Sequence, residues 1–262
     1  MFPVLFQLGP ITVHTYGVMA AVGFLSALWV IAKLSERSGL PPQKMVDFAF
    51  FLLITGFVGA RLLFVITRWD YFQNHLLDIF KVWEGGLVFF GGLFTTIPWG
   101  VVYVRKKGWN PWTCMDVILP ALTLAHGLGR IGCFAAGCCY GKRTESFFGV
   151  KFNSELVNID LRGVPIHPTQ LYEATSLALL FFGLLYIFKR KRFEGQVALS
   201  YLIIYPIVRS VIEIFRGDKI RGFVIDGLLS TSQFISILIV TGAAFALHHK
   251  LKALRPESNE VD

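Results

Sequence analysis

Charge in this chain is confined to short islands between long apolar runs, and that spacing constrains the fold more than any motif does. Seven runs, at 16–32, 48–67, 87–104, 113–128, 171–188, 197–215 and 228–247, approach the ~20 apolar residues that a helix needs to cross a bilayer core. Inside hydrocarbon every backbone N–H and C=O must find a partner within the protein, so such runs are expected as helices. The run at 87–104 holds Gly91, Gly92, Pro98 and Gly100, which membrane helices tolerate. The expected fold is therefore all-α and polytopic. It has seven transmembrane helices in a single integral membrane domain over 1–262, with an extracytoplasmic head containing short strands inserted at 133–168. Before Lys33 there is no Lys or Arg, so the first run is expected to be a retained helix rather than a cleaved signal peptide.

Hydrophobic residues make up 54% of the 262, against the ~45–50% usual in soluble domains. The net charge of +8 would suit nucleic acid. The basic residues, however, lie mostly in short loops beside apolar runs, where membrane orientation and lipid headgroups account for them, so no nucleic-acid partner is expected. "VRKKG" at 104–108 and "KRKRFEG" at 189–195 mark the cytoplasmic side. The N-terminus is then outside and the C-terminus inside. Cys133, Cys138 and Cys139 form a C-x4-C-C cluster without the paired C-x2-C spacing of a zinc site, and they read as small hydrophobes.

Ionisable residues within membrane spans are costly and are functional candidates by default. Here they are Arg61, Asp116, His126, Arg130, Glu173, Arg209 and Glu213. With the orientation above, Arg61, Arg130, Glu173, Arg209 and Glu213 fall near the outer boundary with Tyr16, and His126 lies nearer to it than to the inner side. Each alone is equally readable as a snorkelling helix end, and Arg209 with Glu213, spaced i, i+4, as a local salt pair. Together they point to a shared site, and Arg130 and Arg209 at headgroup depth describe one for an anionic phospholipid headgroup, because arginine stays charged and donates from a rigid plane. In "GLGRIGCFAAGCCYGKR", residues 127–143, Gly129, Gly132, Gly137 and Gly141 would let backbone amides approach the phosphate.

These residues carry a family resemblance. "YGVMAAVGF" from Tyr16, "GARLLFV" around Arg61, "WEGGLVFFGGL" from Trp83, "GRIGCFAAGCCYG" from Gly129, "HPTQLYE" from His167 and "RSVIEIFRGD" from Arg209 occur in order along nearly the whole chain. The chain resembles the prolipoprotein diacylglyceryl transferases of bacteria. The resemblance implies a multi-pass enzyme of the bacterial cytoplasmic (inner) membrane that moves the diacylglyceryl group of phosphatidylglycerol to the lipobox cysteine of a prolipoprotein signal peptide. A thioether forms, glycerol phosphate leaves, and no metal or organic cofactor is required. It implies that Arg130 and Arg209 hold the phosphate, that Tyr16 and Glu213 belong to the site, and that Gly141 closes the signature loop. Arg61, Gly129 and Gly132 join the expected lipid-binding set.

Two departures stand out. The family's W-x-G-G-x-x-F-H-G-G has histidine where this chain has Phe90, which leaves His126 and His167 as candidate bases beside phosphate itself or no dedicated base. The family's G-N-F-x-N-G-E-x-x-G reads here "GCFAAGCCYG", with Cys133 for asparagine and Cys138 for glutamate. A lipid transporter or scramblase, and a non-enzymatic assembly protein, are the competing classes. Polar groups at one face and the lack of a visible repeat argue against the first. Two intramembrane arginines argue against the second.

Overall fold

The computed structural model describes residues 2–9, 11–153, 156–216, 223–225 and 229–254. A hairpin of β1 (Val4–Leu8) and β2 (Ile11–His14) opens the chain. The helices are α1 (Thr15–Arg37), α2 (Pro42–Thr67), a single turn α3 (Trp69–Phe72), α4 (Phe89–Lys106), α5 (Pro111–Ala136), α6 (Thr169–Arg190), α7 (Gln196–Phe215) and α8 (Thr231–Ala253). Strand pairs β3 (Val150–Lys151) with β4 (Pro165–Ile166) and β5 (Phe223–Ile225) with β6 (Leu229–Ser230), and short 3-10 helices at Leu76–Phe80, Val82–Glu84 and Ile159–Leu161, complete the described elements.

Local chemistry sets the helix ends. Pro42 and Pro111 take first-turn positions where no N–H is needed. Asn110 accepts the Trp112 N–H at 2.9 Å ahead of α5. Ser230 and Gln233 form a reciprocal capping box on α8. Helices α1, α4, α6 and α8 end in basic residues, matching the negative pole of the helix dipole, whereas α2, α5 and α7 carry none in the last turn.

Each of the seven expected spans falls on a long helix. Six of these helices are long and apolar enough to cross a membrane: α1, α2, α5, α6, α7 and α8. Helix α4 is not among them, because its 18 residues include two glycines, two threonines and Pro98 in its first ten and close on Arg105 and Lys106. The N-terminal hairpin was not expected. The fourth span runs further than expected, since α5 continues to Ala136.

The residues group into two compact units, Ile31–Ile118 and the remainder, Met1–Val30 with Leu119–Asp262. In the first, α2 packs on α4 through small residues. A Cβ on Gly59 would lie 2.6 Å from the Gly91 carbonyl oxygen, and a Cβ on Gly91 would lie 2.5 Å from Leu63 Cβ. Thr95 Oγ1 donates across the contact to Thr55 O at 3.0 Å. Such close approach is how helices associate where lipid removes the hydrophobic driving force. In the second unit α7 packs on both α6 and α8. Phe152, Val157 and Ile166 form a small core within the segment that joins α5 to α6.

The α2–α4 contact generates a stability prediction. Gly91→Ala should lower the melting temperature in detergent, with a loss of about 1–3 kcal/mol from overpacking. Gly242→Ala, where an added Cβ meets nothing within 4 Å, should be neutral or gain up to about 1 kcal/mol. Equal melting temperatures would refute the close packing.

Candidate active site

The site is built on α5, where His126 and Arg130 are spaced i, i+4 and Cys133 follows one turn later. Arg130 Nε lies 3.0 Å from Glu173 Oε2. Glu173 sits in the second turn of α6 and is 1% exposed. Its other oxygen accepts from the Tyr205 hydroxyl of α7 at 3.4 Å. Arg130 Nε also donates to His126 Nε2 at 3.3 Å, and that nitrogen is 3.6 Å from Glu173 Oε1. An Nε2 that accepts from a guanidinium carries its proton on Nδ1, so His126 is a neutral imidazole whose lone pair orients Arg130. One helix turn before the end of α7, Arg209 Nη2 makes a 2.6 Å ion pair with Glu213 Oε2. His126 on α5 and Tyr205 on α7 each lie within electrostatic range of both Arg130 and Arg209.

What the arginines leave unused matters chemically. A guanidinium has five N–H donors. Among the described residues Arg130 is held through Nε, which leaves its Nη edge. Arg209 Nη1 is buried without a hydrogen-bond partner. A buried orphan donor calls for an explanation, and an anionic oxygen supplies one. On another face of α7, Pro206, Ile207, Val211 and Ile214 form with Ile237 and Val240 of α8 an open, mostly apolar groove of about 400 Å³. Tyr16 begins α1, is half exposed, and lies against Gly132 and within the field of Arg130.

The glycines do a different job from the one expected. Residues 127–136 are helix, not loop. A Cβ on Gly132 would sit 3.0 Å from Met19 Cβ and 3.2 Å from Tyr16 Cα, so this glycine lets α1 and α5 close. Gly141 donates its N–H to His167 O at 2.9 Å, and a Cβ there would sit 2.5 Å from Phe215 O. It ties the segment after α5 to the start of α6 and the end of α7, and its amide is not free for phosphate. Gly129 has open space where a side chain would begin. Gly137, with φ of +78°, terminates α5 by donating to Cys133 O at 3.0 Å.

Arg61 also departs from its expected lipid-binding role. In the unit Ile31–Ile118 its five donors are all engaged by main-chain carbonyls. Nε donates to Ile79, Nη1 to Gly85 and Gly86, and Nη2 to Asp78 and Lys81, at 2.6–3.2 Å. No N–H remains for a phosphate, and Arg61 pins the 78–86 segment. Phe90 packs edge-on with Phe89 and stacks with Phe94, offering no proton acceptor. His167 Nδ1 is 3.1 Å from the Tyr172 hydroxyl, and its ring meets Phe215. Asp116 is fully buried. The sulfurs of Cys133, Cys138 and Cys139 lie within 4.8 Å of one another. Hydrogen bonds from Cys133 and Cys138, helped by the charges of Arg216 and Arg130, hold the Cys139 thiol well below the usual thiol range.

Glu173 is the central residue to which the sequence assigned no role beyond membership of the group of charges at one depth. It stood among the intramembrane charges and in the "HPTQLYE" stretch, but its pairing with a residue 43 positions earlier leaves no periodic signal.

The family model for prolipoprotein diacylglyceryl transferase matches residues 3–248. A phosphatidylglycerol–prolipoprotein diacylglyceryl transferase of Clostridium tetani is 36% identical over 252 residues, covering 95% of this chain and 97% of its own. A Clostridium perfringens enzyme of the same name, numbered 2, is 34% identical and covers 98% of both. One from Geobacillus kaustophilus is 33% identical over 90% of this chain and 88% of its own. The chain belongs to the prolipoprotein diacylglyceryl transferase family.

Two predictions follow from the paired arginines. Arg130→Ala leaves Glu173 charged and unpaired, and should destabilise the protein by roughly 3–5 kcal/mol. The double variant Arg130→Met/Glu173→Leu should recover most of that stability, measured by thermal unfolding in detergent, while remaining inactive. Recovery of activity by the double variant would show that the pair is only structural. Arg61→Lys should expose the 78–86 segment to limited proteolysis, because one ammonium cannot satisfy five carbonyls. An unchanged digestion pattern would contradict the pinning role.

Proposed function

We propose that this chain transfers the diacylglyceryl group of phosphatidylglycerol to the lipobox cysteine thiol of prolipoproteins, the first step of bacterial lipoprotein maturation. The observation that carries the proposal is the pair of guanidinium groups, each fixed by a buried or nearly buried carboxylate and each keeping donors that no atom of the described residues uses. Family membership supplies the reaction. The paired arginines supply the means.

In this reading the phosphate oxygens of the lipid take the Nη edge of Arg130 and the orphan Nη1 of Arg209, and an acyl chain lies along the α7–α8 groove. The substrate thiolate attacks the glycerol carbon that carries the phosphate. The C–S bond forms as the C–O bond breaks, the electron pair leaves on oxygen, and glycerol phosphate is released. The thiol proton goes to solvent or to the departing phosphate. His126 holds Arg130 in place, and its lone pair becomes available as a base only when that hydrogen bond is released. Fixed donors aimed at the developing charge lower the barrier without reorganisation. Tyr16 and the open face at Gly129 border the headgroup. No residue here calls for a metal or organic cofactor in the transfer.

The membrane arrangement belongs to the same proposal. All seven long helices cross the bacterial cytoplasmic membrane, α4 included, in a single integral domain. The N-terminus is outside and the C-terminus cytoplasmic. The head at 133–168 is extracytoplasmic, and signal peptides approach from the lipid. The alternation of basic last turns, present on α1, α4, α6 and α8 and missing from α2, α5 and α7, supports that orientation. Nucleic acid has no place in it.

The test supplies purified protein with labelled phosphatidylglycerol and a prolipoprotein signal peptide. Thioether transfer is expected. Arg209→Ala should reduce it by about 100- to 1000-fold, the loss typical of one fixed oxyanion donor. Folded protein without transfer would sink the proposal, and a near-native rate in Arg209→Ala would sink the phosphate assignment.

A further inference from the structure

The proposed transfer leaves the three clustered cysteines without a part. Cys133 is buried in the last turn of α5, and Cys138 and Cys139 are half-buried in the turn that follows. That turn is firmly held. The N–H groups of Gly137 and Cys138 both return to Cys133 O, at 3.0 and 3.1 Å. Gln170 Nε2 donates to Cys138 O at 2.6 Å, and Thr169 Oγ1 to Cys139 O at 2.9 Å. Cys139 has φ of +62° and is the only non-glycine among the described residues with positive φ. A residue with a Cβ in that conformation costs about 1–3 kcal/mol, and such strain gathers at ligand clamps. Buried and strained backbone thus presents three sulfurs to one point, none of them in a disulfide.

Three sulfurs, with no histidine or carboxylate grouped with them among the described residues, select thiophilic d10 cations over hard ones. With metal–sulfur bonds of about 2.3 Å, a trigonal three-thiolate centre has its sulfurs ~4 Å apart. The sulfurs here, within 4.8 Å, need to close by less than about 1 Å, which small side-chain rotations supply. We infer that Cys133, Cys138 and Cys139 form a binding site for a single thiophilic d10 cation, of the class of Cu(I), Zn(II) and Cd(II), and that occupancy slows the enzyme.

The inhibitory part rests on the proposed transferase reading; the binding part does not. Binding replaces the protons that the three sulfurs still carry with metal–sulfur bonds and releases those protons to solvent. Three thiolates outweigh a monovalent or divalent cation, so the filled centre is negative. It forms one turn from Arg130, which already interacts electrostatically with Cys133 and Cys139. A negative centre there repels the anionic headgroup of the bound lipid and also weakens the hold of Arg130 on the departing phosphate, so the KM for the lipid rises and kcat falls.

The test is a titration of the purified, phosphine-reduced chain with Cd(II) in detergent, without air. A thiolate-to-cadmium charge-transfer band should grow and saturate at one ion per chain. Cys133→Ser, Cys138→Ser and Cys139→Ser should each weaken binding by at least the roughly 10–100-fold that loss of even a supporting residue causes. Cys114→Ser, outside the cluster, should leave the titration unchanged. In the transfer assay Cd(II) should raise the lipid KM of the native chain and leave the triple Ser variant unaffected. A native chain with free thiols but no band overturns the site, as does a band that survives in the triple variant. Binding with an unchanged KM overturns the inhibitory role. Binding in a chain that shows no transfer supports the site and counts only against the transferase reading.

Discussion

A guanidinium group that leaves water for an apolar helix bundle must be neutralised and hydrogen-bonded inside the protein, and the architecture around the site depends on how this is done. Three arginines illustrate the alternatives. Arg61 is answered by five main-chain carbonyls and Arg209 by the carboxylate of Glu213 one turn along α7. Arg130 is answered by Glu173 from the neighbouring helix, with His126 as a second acceptor. Carbonyl dipoles exhaust the donors of Arg61, so it can only organise its own segment. A carboxylate on one edge leaves the remaining donors of Arg130 and Arg209 uncommitted. The choice of partner therefore separates an arginine whose donors are exhausted from one that keeps donors for the proposed ligand.

Local signals carried most of the helical layout. Apolar runs bounded by charges placed seven long helices, and proline and basic termini placed many of their ends. What failed was the reading of glycine. Gly129 and Gly132 looked like loop residues, yet helix α5 runs through them because intrahelical hydrogen bonds are worth keeping wherever water is excluded. At Gly132 the missing side chain serves the approach of α1, a relation across more than a hundred residues that no local pattern encodes. The hairpin before α1 left only a faint trace, the alternation in "ITVH" after a Gly-Pro pair.

The site was legible as a list of residues and not as a set of contacts. Arg130, Arg209, Glu213 and His126 could be named because charge is rare in apolar runs. Arg61 was named by the same rule, and its five carbonyl partners show where the rule stops. Glu173 was noticed as a charge but not as the anchor of Arg130. A pairing between helices depends on packing, which the sequence specifies only collectively. Gly141 shows the same dependence: it binds the end of α7 to the start of α6 through His167 and Phe215, and so fixes the separation of the helices that carry Arg209 and Glu173.

Pairing each arginine with a glutamate also makes the four-residue cluster neutral, which bears on catalysis. A site with two bare positive charges would bind the anionic lipid strongly in its ground state, and tight binding of the substrate alone does not speed the chemical step. Neutral pairs attract the intact phosphodiester only modestly. As the carbon–oxygen bond breaks, the departing phosphate gains charge, and the uncommitted donors of Arg130 and Arg209 interact with it more strongly than with the starting lipid. The carboxylates hold those donors in place, so little reorganisation is needed at that moment. In the proposed transfer, Glu173 and Glu213 thus favour the transition state over the ground state through the arginines they hold.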